Sequence, residues 1–194
     1  KENRLVLMAF DDYYGGRPYL DELILRVIPD ETVLLQELRT GGIDFMERVP
    51  REAVPGLIED PSFAVDLVDN VGFTNVAYNV TRPLVEEKAV RQAIAYAVNR
   101  DQFIEEILLG YADRATGPFP PGYWYYEPDV KRYYYDPDEA RRILEAAGWE
   151  IGEDGVRVKE GERLSLTMTT FKGHEVGEQF LTIAQAQLAE GGIE

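Results

Sequence analysis

Apolar residues fall in short blocks along the chain, and their spacing changes between two periods. Residues 22–28, ELILRVI, are apolar except for Glu22 and Arg26 and are closed by Pro29-Asp30, which predicts a buried strand. Asp30 is suited to cap a helix running to about Arg39, with Val33, Leu34 and Leu38 on one face, and Gly41-Gly42 stops it. Ile43 to Met46 is a short strand, and Pro50 to Glu59 a short helix. Residues 62–68, SFAVDLV, and 73–80, FTNVAYNV, read as two further strands.

The period then becomes helical. Within residues 86–98, Val90, Ala93, Ile94 and Ala97 fall on one stripe, while Arg91 and Gln92 lie mostly off it. Asn99 with Gln102 has the spacing of a capping box and opens a second helix that Gly110 ends. Residues 111–135 are irregular and aromatic. In DPDEARRILEAAGW, Asp136 caps, Pro137 takes the first turn, Glu139 completes a box, Gly148 ends the helix, and Trp149 takes the hydrophobic position of a Schellman stop. Val156 to Val158, a turn at Glu160-Gly161, and Leu164 to Met168 predict a hairpin. A last helix covers about 176–189, with Val176, Phe180, Ile183, Ala184 and Leu188 inward. Gly191-Gly192-Ile193 then leads toward another strand, so the chain reads as a piece of a longer protein. Strands alternating with helices predict an α/β fold.

Composition narrows the chemistry. The 194 residues carry 36 acidic and 20 basic side chains, a net charge of −16, which opposes binding to nucleic acid or to an anionic membrane. Cysteine is absent, which removes disulfides, thiolate metal sites and cysteine nucleophiles. One histidine, His174, makes a transition-metal site improbable and has no nucleophile elbow beside it. Neither a metal nor a cofactor is expected.

Several clusters invite two readings each. The pairs Asp11-Asp12, Glu86-Glu87 and Glu105-Glu106 suit acid/base chemistry of the glycosidase kind, or a solvated helix face, which an acidic chain favours. Glu153-Asp154-Gly155 lacks the ligand alternation of a calcium loop and reads as a turn. His174 follows a strand and precedes a helix, a junction that often meets ligands, yet an exposed loop histidine is the simpler reading. The run GPFPPGYWYYEP is either loop packing or an apolar ligand wall, with Trp124 its largest surface. Asn75, Tyr78 and Asn79 either face a cleft or satisfy a strand edge.

In order, Gly16-Arg-Pro-Tyr-Leu-Asp21, Arg26-Val-Ile-Pro-Asp30, LRTGGID at 38–44 and Asn79 with PLVEEKAVRQAIAYAVNR form one pattern. Gly117-Pro118 with Trp124, Tyr135-Asp-Pro137 leading to Trp149, the DGV and GERLSLTMTT segments, and AQAQLAEGGIE continue it. Together they resemble the extracytoplasmic solute-binding proteins of ABC importers, in the oligopeptide, dipeptide and nickel class. Asn99 and Gly42 depart from that family's usual acidic residues.

The resemblance implies part of a two-lobed periplasmic-binding-protein type II fold. Residues 1–75 would be the tail of lobe I and residues 76–194 the beginning of lobe II. It implies a monomeric, non-enzymatic receptor, periplasmic or anchored as a cell-surface lipoprotein. Such a receptor closes on a peptide or similar solute and delivers it to membrane permease subunits. Asn75, Tyr78, Asn79 and Thr170 are the expected polar ligand contacts, and Trp124 the apolar one. The rival readings are a carboxylate-driven glycosidase and a non-transport interaction module.

Overall fold

The computed structural model describes residues 3–69 and 72–194. Asn70 and Val71, in the stretch where a lobe boundary is expected, lie outside the described residues. Contacts group the chain into two compact units, Lys1–Val65 and Asp66–Glu194.

The first unit opens with an antiparallel ribbon of β1 (Arg4–Met8) and β2 (Glu22–Arg26), in register Leu5 to Leu25 and Leu7 to Leu23. The strand expected at 22–28 is present, but every residue of both strands is exposed rather than buried. A two-stranded ribbon hides its apolar face only when another layer covers it, and none does among the described residues. Helix α1 (Glu31–Thr40) starts where Asp30 accepts a hydrogen bond from the Val33 amide at 2.9 Å, and stops at Gly41 with φ of 74°. Arg26 joins β2 to the end of this helix through the Glu37 carboxylate and the Gly42 carbonyl, both at 2.7 Å. A 3-10 turn at Arg51–Ala53 leads into helix α2 (Val54–Ile58), which buries Val54 and Leu57.

The expected strands at 43–46, 62–68 and 73–80 do not form. A strand is made by its ladder, and no ladder joins these residues to another segment among those described.

The second unit is built on helices. After the single turn α3 (Pro83–Glu86), α4 (Lys88–Ala97) buries Val90, Ala93, Ile94 and Ala97, the stripe that the periodicity predicts. It packs against α6 (Pro137–Ala146), which contributes Ala140 and Leu144 to the same core. Between them lies α5 (Arg100–Glu106). Helix α7 (Glu175–Glu190) closes the core with Ala184 and Leu188.

Both predicted capping boxes are half-formed. The Asn99 side chain accepts from the Gln102 amide at 3.1 Å, but the Asn99 amide donates to Gln187 of α7 instead of Gln102. Likewise Asp136 accepts from the Glu139 amide at 2.9 Å, while the Glu139 carboxylate binds Arg142 and the Asp136 amide donates to the Tyr96 carbonyl. Tertiary partners have taken the return bond. The stop after α6 has both bonds of a Schellman motif, Trp149 N–H to the Leu144 carbonyl at 2.9 Å and Gly148 N–H to Glu145 at 3.0 Å, with Gly148 at φ of 88°.

The small sheet runs β3 (Glu150–Ile151), β4 (Arg157–Lys159), β5 (Glu162–Arg163), all antiparallel. Glu160 and Gly161, at φ of 52° and 85°, make the tight turn between β4 and β5. Leu164 carries that hairpin one bond further, its amide donating to the Arg157 carbonyl at 2.8 Å, but residues 165–168 do not extend it as expected. On the other side of the segment Glu194 donates to the Leu164 carbonyl at 2.9 Å and accepts from the Leu166 amide at 2.6 Å, the pattern of a parallel pair. The side chain of Arg157 is buried beneath this region. It donates to the Gly191 and Trp149 carbonyls, both at 2.8 Å.

Candidate ligand-binding site

The Leu164–Leu166 pairing with Glu194 and the start of α7 fix the residues between them. Thr169, Thr170 and Phe171 emerge from the paired segment, and a turn at Lys172-Gly173 delivers His174 to the helix start. His174 stands in the cap position, yet its side chain does not cap the helix. Its Nδ1 lies 3.1 Å from the Thr170 hydroxyl, and its ring stacks on Phe171 with centroids 4.6 Å apart and planes 9° from parallel. With Phe73, Thr74 and Asn75, these residues line an open concavity of about 640 Å³.

The lining decides what the concavity can hold. It offers three threonine hydroxyls, one amide and one imidazole beside the rings of Phe73 and Phe171. These groups donate and accept without a fixed charge, which suits amide-like ligand groups flanked by apolar surface. No carboxylate and no lysine or arginine is among the lining residues. Among the described residues, no group of three or more histidine, aspartate or glutamate side chains is placed to hold a metal ion.

Asn75 and Thr170, 95 positions apart in sequence, are brought to the same concavity. The other three expected contacts lie elsewhere. Tyr78 is half-buried against the helical core, and burial raises its phenol pKa against the opposing pull of Arg91 and Arg100. Asn79 spends its side-chain oxygen on the Thr81 amide and hydroxyl, at 3.2 and 2.7 Å, closing the turn before α3. Trp124 is 93% exposed, its ring meeting the edge of Tyr125 at 5.0 Å. His174, which the sequence favours as an exposed loop residue, is half-buried and lines the concavity. A sequence signal for it exists in the spacing of Thr170, His174 and Gly177, whose meaning appears only when a helix start is placed there.

In each carboxylate pair one member is engaged locally. Asp11 pairs with Arg17 at 2.7 Å, and Glu106 accepts from Gln102 at 3.1 Å. Glu87 accepts from Trp149 Nε1 at 3.1 Å and from Lys159 at 3.0 Å, latching the start of α4 to β4. Asp154 accepts from the Val156 amide and pairs with Arg163, as a turn residue does.

Comparison with known proteins places this geometry in a family. The model of the middle region of the bacterial extracellular solute-binding proteins, family 5, matches residues 1–194. The oligopeptide-binding protein AppA of Bacillus subtilis is 33% identical over 193 residues, covering 97% of this chain and 35% of that protein. The dipeptide-binding protein of Escherichia coli is 33% identical over 156 residues, 78% of this chain and 28% of its own length. Among solved structures, NikA from Brucella suis in complex with Fe(III)-EDTA matches with a TM-score of 0.89 at 26% identity, covering 100% of this chain and 40% of its own. AppA in complex with a nonapeptide matches with a TM-score of 0.69 at 31% identity, covering 99% and 38%. The chain thus spans about a third of the length of these relatives. With its whole described length matched, the chain belongs to the bacterial extracellular solute-binding proteins, family 5.

Proposed function

We propose that the protein is the substrate-binding component of an ABC importer. It captures a peptide or a similar small solute between two lobes and hands it to permease subunits at the membrane. In this reading residues 1–75 form the tail of lobe I and residues 76–194 the opening part of lobe II. The protein works as a monomer in the periplasm or on the cell surface and breaks no bond in its ligand. Closure follows from ligand contacts that are complete only when both lobes meet.

The observation that carries the reading is the convergence of Asn75 and Thr170, with His174, on one concavity whose polar lining is hydroxyl, amide and imidazole groups, with no carboxylate, lysine or arginine. A peptide presents the matching groups at every residue, an amide N–H and a carbonyl. We propose Asn75 and Thr170 as direct contacts. Trp124 is proposed as an apolar wall that a ligand covers, Tyr78 as a support beneath the site, and Asn79 as the residue that fixes the turn leaving it. The relatives named for oligopeptide and dipeptide binding support the ligand class. A glycosidase needs free carboxylates flanking a cleft, and those of Glu87 and Glu106 are engaged elsewhere.

Mass spectrometry of the solute released from the gently purified intact protein tests the ligand class. Peptides of a few residues are expected, and a metal chelate as the sole bound species would contradict it. Replacing Glu86, Glu105 and Glu106 by Gln should leave solute affinity unchanged; turnover of a glycoside that these changes abolish would restore the enzyme reading.

A further inference from the structure

Gly177 sits in the first turn of α7 in helical conformation, and it is not among the glycines with positive φ. Its backbone therefore does not require glycine, and within a helix glycine is less favourable than alanine. Space explains the choice. A Cβ at this position would lie 2.3 Å from His174 Nδ1 and 2.5 Å from the Thr170 hydroxyl oxygen, both well inside any real contact. These are the two atoms that pair with one another across 3.1 Å. The ring also stacks on Phe171.

From this geometry we propose that Gly177 is a positioning residue for the ligand concavity. By lacking a side chain it lets the His174 ring lie back over the helix start and bond Thr170 through Nδ1. That bond leaves Nε2 as the ring's free polar atom for the ligand. The proposal rests on the reading of the concavity as the solute site. The charged groups on the neighbouring segments are Lys172 in the preceding turn and Glu175 and Glu178 in the first turn of α7. Glu178 is engaged by the Gly173 amide at 3.2 Å. Residues 73–75 and 169–171 contribute none.

The test uses the intact protein and a random library of tripeptides to pentapeptides as probe. Three quantities are read for Gly177→Ala: the Tm, library affinity, and the ¹⁵N resonance of His174 Nδ1, identified by its disappearance in His174→Ala. The proposal expects a Tm equal to or above wild type, because alanine favours the helix. It expects a displaced Nδ1 resonance, and affinity lower by about tenfold, the scale of one lost contact to a desolvated group. In a Thr170→Ala, His174→Ala background, where both crowding atoms are gone, adding Gly177→Ala should leave affinity unchanged. An unmoved Nδ1 resonance overturns the proposal, as does a Tm that falls together with affinity. Wild-type affinity in His174→Ala would instead refute the concavity as the peptide site, leaving the Nδ1 resonance to decide whether Gly177 restrains the ring.

Discussion

Replacing Arg157 with Met separates a stabilising role from a surface charge. Arg157 is almost wholly buried and its guanidinium satisfies two main-chain acceptors, the carbonyls of Gly191 at the end of α7 and Trp149 after α6. Its contact to Glu145 is longer, 3.3 Å, and that carboxylate is 62% exposed, so it contributes little. Methionine fills a similar volume but donates nothing, leaving both carbonyls without a partner. Each buried acceptor so stranded costs about 1–3 kcal/mol, and relief of the buried charge returns part of that. The net loss is about 2–4 kcal/mol. Hydrogen exchange of the intact protein reads it locally, at the amides of Trp149, Arg157 and Ile193, which all bond within this region. At a factor of ten per 1.4 kcal/mol, exchange there should quicken by roughly thirty- to a thousandfold. Arg157→Lys, which keeps a charge but not the planar fork, should fall between. Exchange within threefold of wild type would refute the argument that these carbonyls depend on Arg157.

Leu144→Ala removes a fully buried side chain from the α4–α6 contact and should cost about 2–5 kcal/mol, read as a shift in the urea midpoint of the unit that contains it. The Asp101 carboxylate, bound by the Arg114 guanidinium, has its pKa held below the usual range. A lowered folded pKa adds stability above the unfolded value, near 3.9, that is lost as pH falls through the folded one. Asp101→Asn should therefore cost about 0.2–1 kcal/mol at pH 7, the range of a partly exposed pair, and converge with wild type in strong acid. These 194 residues alone should bind peptide far more weakly than the intact protein in calorimetry, since they carry only a part of each proposed lobe. Micromolar binding by the 194 residues alone would contradict this.

What the sequence revealed was local. Asp30, Asn99 and Asp136 cap helices, and Gly41 and Gly148 stop them, because a cap bonds residues two or three positions away. The α4 stripe was legible because a helix exposes its period without needing a partner. Strands were not. Residues 62–68 and 73–80 have strand-like patterns, but a ladder depends on a distant segment that periodicity does not name. The return arms of the capping boxes failed for the same reason, since Gln187 lies 88 positions from Asn99 and competes for its amide. Polar residue type picks out Asn75 and Thr170, which the fold brings to one concavity, and Asn79, whose side chain serves its own turn. The half-buried place of His174 is not legible in the sequence, because a lone histidine in a loop carries no spacing signal until Gly177 is seen beside it.

We propose that the concavity lined by residues 73–75, 169–171 and 174 touches the bound solute. Isothermal titration of the intact Asn75→Ala, Thr170→Ala double variant with the solute that co-purifies tests it most directly. Two lost hydrogen bonds of about 0.5–1.5 kcal/mol each predict affinity lower by roughly five- to 150-fold with an unchanged fold. Affinity within twofold of wild type would place the solute elsewhere and contradict the account.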